Sequence, residues 1–375
     1  MFFKKKKWPV CMLAVMILMA MGLTACAPGV TPPTESGDPP QATDTEPAPS
    51  QTDRVFVDST GRQVTLPVDL VRMAPSGTLA NLVLFTASPD RMNGVSLAFT
   101  DSQKKLIDPV YFDLPVMGKF YGKGPDFNLE TVLAAGTQVI VDIGENKDST
   151  KNDLDDLMDQ IKIPTIFIEA LFDTMPQTYR DIGRLIGDSS RTDLLALYCE
   201  ESLALSERAR AEIGEEDRIR VYWALGERGL NTNAVGSFHS ELLDRIPVIN
   251  VADVEPAGQG GGSEVSMEQI IRWNPDLILI DGARLAEVMK EDPAWMSLPA
   301  MKEGRIIIVP SQPYGFLADP PSVNRYAGLR WLGATLYPQI YGEDARAEVR
   351  GFFDLFYGIQ VDDATLDAIL DGSFK

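Results

Sequence analysis

The chain has 375 residues, 45% of them hydrophobic and 23% charged, with 34 basic against 54 acidic side chains and a formal net charge of −20. Such a surface repels a phosphate backbone, which excludes nucleic-acid binding. The length is ample for two α/β lobes with cores of their own.

Four consecutive lysines, Lys4 to Lys7, precede an apolar run from Val10 to Leu23 that ends in Leu23-Thr24-Ala25-Cys26. This is the layout of a secretory signal peptide, too short to cross the roughly 30 Å of a bilayer core comfortably. Small residues directly before a cysteine resemble the bacterial lipobox, so residues 1–26 are expected to be a leader and Cys26 the lipid-bearing N-terminus of the mature chain. Residues 27–53 are dominated by Pro, Thr, Ser, Gly, Asp and Glu. They cannot bury enough apolar surface to offset chain entropy and are expected to form a disordered tether. Loss of the leader removes four lysines and no acids, deepening the charge to −24, and leaves Cys199 as the one cysteine besides Cys26. With Cys26 lipidated no disulfide can form, so stability must come from packing.

Beyond the tether, Val55–Val57 and Gln63–Leu66 flank Asp58-Ser59-Thr60-Gly61, the pattern of a leading hairpin. Short apolar runs at 71–74, 94–97, 139–143 and 165–169 then alternate with amphipathic stretches, which predicts βαβ units and parallel strands. Residues 192–213 contain no Gly or Pro and read as one long helix. The βαβ theme returns with strands at 219–224, 276–280 and 305–309. The expected architecture is α/β, with an N-terminal lobe at 54–190, a linking helix at 191–214 and a C-terminal lobe at 215–375.

An internal repeat stands out. Asn128-Leu129-Glu130-Thr131-Val132-Leu133, followed by Gln138-Val139-Ile140-Val141-Asp142, parallels Ser266-Met267-Glu268-Gln269-Ile270-Ile271, followed by Asp276-Leu277-Ile278-Leu279-Ile280-Asp281. Each copy is a capping residue, a helix with a glutamate in its first turn, and a buried strand. A first-turn glutamate also complements the helix dipole, so the repeat alone leaves structural and functional roles open.

Several motifs together carry a family likeness. The hairpin, Arg72-Met73-Ala74-Pro75-Ser76, Asn93-Gly94-Val95-Ser96, Leu114-Pro115-Val116-Met117-Gly118, Trp273-Asn274-Pro275-Asp276 and Pro320-Pro321-Ser322-Val323 resemble the ABC substrate-binding proteins that serve iron-siderophore, haem and cobalamin uptake. The resemblance implies two Rossmann-like lobes bridged by a single backbone helix, the class III arrangement, with ligand held in the cleft between them. It also implies a lipid-anchored monomer on the extracytoplasmic face of the membrane that needs no cofactor of its own. Its partners would be a small metal complex and a permease dimer with its ATPase, and the docking glutamates would be Glu130 and Glu268. A ferric siderophore is the expected ligand, ahead of haem, cobalamin and molybdate or tungstate.

Ligands of open α/β sheets bind at the carboxyl ends of strands. That rule points to Ser76, Tyr121, Glu145 and Lys147 in the first half and to Trp223, Phe238, His239, Tyr314 and Phe316 in the second. Aromatic rings suit a large planar or aryl ligand, and Tyr121 or His239 has the chemistry to bind a metal. Lys119, Lys123 and Lys147 would attract an anionic ligand. His239 is the only histidine, whereas a catalytic zinc site draws three protein ligands, often histidines. A secreted metal-dependent hydrolase is therefore poorly supplied, and no enzyme is expected. The run Gly258 to Gly262 lacks the Lys-Ser/Thr ending of a phosphate loop.

Overall fold

The computed structural model describes residues 53–120, 126–257, 261–318 and 320–374. The expectations for the leader, Cys26, nearly all of the tether, Tyr121, Lys123 and Gly258–Gly260 fall outside them. The chain opens with the antiparallel pair β1 (Asp53–Val57) and β2 (Gln63–Pro67). Phe56, Val64 and Leu66 point inward while their neighbours face solvent, the alternation of a half-buried ribbon. The turn between them is pinned by a buried ion pair of Asp58 with Arg62 at 2.9 Å, and Ser59 N–H donates to Phe167 O, docking the hairpin on the first sheet.

That sheet is parallel, in the order β3 (Met73–Pro75), β4 (Val139–Gly144), β5 (Thr165–Glu169). β4 lies in the middle and is buried on both faces through Ile143, which explains its unbroken apolar reading. The expected strand at 94–97 is reduced to a single bridge, Val95 to Val116. Pro115 supplies a carbonyl to Val95 N–H but has no donor with which to extend a ladder.

From β5 the chain passes through the helix Met175–Ile186, stopped by Gly187 in the left-handed conformation, to the long helix Ser190–Glu212. The long helix buries Thr192, Leu195, Ala196, Cys199, Ser202, Ser206 and Ala209 along one seam of three- and four-residue steps. It delivers the chain to the second parallel sheet, ordered β11 (Ile306–Ile308), β10 (Leu277–Ile280), β6 (Ile219–Ala224), β8 (Val248–Asn250). A small antiparallel pair, β7 (Asn231–Thr232) and β9 (Ser263–Glu264), sits beside it. No helix among the described residues is long and apolar enough to cross a membrane.

The C-terminal segment does more than complete the second lobe. The helix Ala345–Phe352 packs on the helix Asn324–Leu336 and runs into a π-turn at Phe353–Tyr357. There Phe356 meets Tyr179 of the first lobe and Tyr198 of the long helix, with centroids 6.0 and 5.2 Å apart. Tyr357 faces Phe85, and Arg191 donates to the carbonyls of Leu355 and Phe356. Phe353 in turn touches Phe316 of the second lobe.

Candidate functional site

Two adjoining cavities open at the carboxyl ends of the two parallel sheets. The first, about 380 Å³, lies at the end of β4 and is lined by Asp142, Glu145, Lys147, Thr150, Asp153 and, from the other lobe, Phe238. The second, about 390 Å³, lies at the ends of β6, β10 and β11 and is lined by Trp223, Asn233, His239, Asp281 and Ser311 among others. They meet at Phe238-His239, which a short turn capped by Ser237 holds with the two rings edge to face at 5.7 Å. Phe238 is 55% exposed, an unusual position for a phenylalanine unless something covers it.

Each wall has a buried polar group facing the space. Asp142, 6% exposed, accepts a short hydrogen bond from Ser76 Oγ. Burial pushes its carboxyl above the ordinary aspartate range, and the Ser76 hydrogen bond only partly offsets this. Trp223 is 3% exposed, and its Nε1–H finds no acceptor among the described residues. At the base of the cleft Arg325, 3% exposed, pairs with Glu241 at 2.7 Å and lies over the rings of Phe172 and Phe238 at 4.9 and 5.6 Å. Phe172 follows β5 and Glu241 follows the Phe238 turn, so the guanidinium touches both halves. Tyr326 stacks on Phe172 at 4.7 Å and donates its hydroxyl to the Phe172 carbonyl, and Arg245 reaches Asp173 at 2.6 Å.

The structure thus brings Glu145, Lys147, Trp223, Phe238 and His239 to the cavity walls, with Ser76 one hydrogen bond behind Asp142. Phe316 is a correction: it is fully buried and packs edge-on against Trp331. Its carbonyl lies so close to Gly328 that a Cβ there would sit at 2.0 Å, which locks this loop onto the helix behind it. Tyr314 lines neither cavity, and burial raises its hydroxyl pKa. Sequence reasoning passed over Asp142, Asp153, Asn233, Asp281 and Ser311. The first and fourth close the two copies of the internal repeat, and that signal was available. A larger cavity of about 780 Å³ lies elsewhere, between Pro89, Tyr111, Arg191 and Tyr357, away from the strand ends.

Glu130 and Glu268 are exposed in the first turns of the short helices Leu129–Ala134 and Met267–Trp273. Asn128 caps the first, and Ser266 caps the second through a reciprocal box with Gln269. The backbone N–H of Glu268 holds its carboxyl below the usual range, with help from Ser266.

The sequence pattern of the periplasmic binding protein family matches residues 124–313, half of the chain. The chain belongs to that family. Over 342 residues, 88% of this chain and 98% of the relative, it is 23% identical to the ABC transporter substrate-binding lipoprotein YvrC of Bacillus subtilis. It is also 26% identical over 152 residues to the molybdate-binding protein MolA of Haemophilus influenzae. That match spans 39% of this chain and 41% of MolA, less than half the relative's length. An ABC transporter solute-binding protein from Sulfurospirillum deleyianum superposes with a TM-score of 0.75 at 27% identity, covering 84% of this chain and 98% of its own. A periplasmic solute-binding protein from Veillonella parvula gives 0.71 at 20% identity, over 86% and 98%. The family fold is the class III α/β arrangement. As a member, the chain is the solute-binding component of an ABC importer, working outside the cytoplasm with a permease and an ATPase. The family is one of transport proteins, not enzymes.

Proposed function

We propose that this chain is a lipid-anchored receptor that captures an iron complex, a ferric siderophore, and delivers it to its permease. The observation that carries the reading is the pair of cavities, one per lobe, meeting at Phe238-His239. Their size falls in the roughly 300–1,000 Å³ range of sites for molecules larger than a simple ion. An oxyanion would leave most of that space empty, whereas a chelate of siderophore size touches both lobes and so favours closure. The similarity to MolA favours a second reading, molybdate, against which stand the carboxylates of Asp142, Glu145, Asp153 and Asp281 on the same walls.

The test is a thermal-shift screen of the full chain with iron(III) desferrioxamine B, haemin, cyanocobalamin and molybdate. Binding to the native state adds RT ln(1 + [L]/Kd), about 2.7 kcal/mol at a hundredfold excess over Kd. The iron chelate should raise Tm, and Trp223→Ala should weaken its binding roughly tenfold to a hundredfold. A shift with molybdate alone would replace the siderophore reading. For the anchor, Cys26→Ala should leave the precursor unprocessed by the lipoprotein pathway and weaken its retention on the membrane. An unmodified Cys26 in the intact mass of the native protein would dispose of the anchor.

A further inference from the structure

The two halves of the cleft are not only similar in shape. Val139-Ile140-Val141-Asp142 and Leu277-Ile278-Leu279-Ile280 are the matching strand segments of the internal repeat, both inner in their sheets; Asp142 matches Ile280, and Asp281 follows one position later. Each copy nonetheless brings an aspartate to a cavity wall, Asp142 from within β4 and Asp281 directly after β10. Asp281 N–H extends the ladder by donating to Ala224 O.

Asp142 is the more telling of the pair. No ion pair reaches its buried carboxylate among the described residues, and the nearby Arg62 guanidinium is already engaged by Asp58 and Asp155, each at 2.9 Å. A buried carboxylate without a counter-cation is disfavoured unless it takes up a proton or a cationic ligand compensates it. The surroundings carry the same sign. Glu145 and Asp153 join Asp142 around the first cavity against the single cation Lys147, and no Lys or Arg is among the described residues lining the second. Independently, the unpartnered Trp223 Nε1–H offers a donor to a ligand oxygen in the second cavity.

Resting on the siderophore reading above, we infer that this site selects chelates with an oxygen-rich face and a protonated amine, held between Asp142 and Asp281. Tris-catecholates, which carry their iron as a trianion, are excluded by the same carboxylates. The structure assigns the amine to the carboxylates and a chelate oxygen to Trp223 Nε1.

Calorimetric titration of the full chain in detergent tests this with three probes. These are iron(III) desferrioxamine B, which carries an ammonium, the same chelate with that amine acetylated and so neutral, and iron(III) enterobactin, a trianion. The cationic chelate should bind about tenfold more tightly than its acetylated form, and enterobactin should not bind. In Asp142→Asn, which keeps an oxygen for Ser76, and in Asp281→Asn, the preference for the cation should shrink toward unity. Enterobactin binding as tightly as the cationic chelate overturns the inference and leaves the siderophore reading standing. So does a cation preference that persists in both variants. If no iron chelate binds while haemin, cobalamin or molybdate does, the siderophore reading itself falls. The acetylation arm uses the unmodified protein, so a poorly folding variant does not blunt the test.

Discussion

Reversing Glu130 and Glu268 to lysine together should abolish import while leaving the affinity of the purified chain for its ligand within about twofold of wild type. Both side chains are exposed, and neither lines a cavity. They occupy equivalent first-turn positions in two lobes, a geometry that suits a receptor meeting a two-fold permease with the same contact twice. The competing explanation is that each carboxylate merely complements its helix terminus. That role is worth about 0.3–1 kcal/mol per site, too little to unfold the chain when lost. Like charges placed across an interface instead cost several kcal/mol, enough to reduce transport a hundredfold or more. The measurement is uptake of radio-iron chelate by cells expressing the whole importer, with calorimetry on the purified variant. Normal uptake would reduce both glutamates to helix-end residues.

Arg325→Ala should lower stability by about 3 kcal/mol, the lower end of the range for breaking a buried pair, which corresponds to a fall in Tm of roughly 6 °C. The lower end applies because Glu241 keeps Arg245 within 3.7 Å and is itself partly exposed. Burial lowers the Arg325 pKa, with Glu241 opposing the shift. The guanidinium also lies over the rings of Phe172 and Phe238, and losing those contacts adds a smaller part of the cost. A double-mutant cycle separates the two contributions. Glu241→Gln added to Arg325→Ala should destabilise by much less than the same change in wild type, because the ion pair is already gone. Equal costs in both backgrounds would show that the pair contributes nothing.

Much of the fold was legible from the sequence, and the exceptions have physical causes. The runs at 139–143, 165–169 and 219–224 were readable almost to the residue, because these parallel strands, β5 at its sheet's edge included, are buried over most of their length and need no periodicity to stand out. β8 went unseen because Val248-Ile249-Asn250 is too short to rise above its surroundings. At the site, the strand-end rule led to Trp223, Phe238 and Lys147, since it depends only on topology. It failed at Phe316, whose fate turns on its close approach to Gly328, twelve positions away, and nothing local announces that. Asp142 and Asp281 were visible as the last residues of a repeat, yet a preference for rings over carboxylates passed them by.

The aromatic stitch at Phe352–Tyr357 bears on how such receptors can be re-engineered. Its rings complete packing begun by Phe85, Tyr179 and Tyr198, hundreds of positions earlier in some cases, and also touch Phe316. A chimera joined inside the long helix, with everything downstream taken from another receptor, would import foreign rings into a native socket. The resulting mismatch lies far from the cleft and would be felt as lost solubility rather than altered specificity. Productive exchanges would graft the ligand-facing loops alone, or move the first half and the terminal helices as one inherited block.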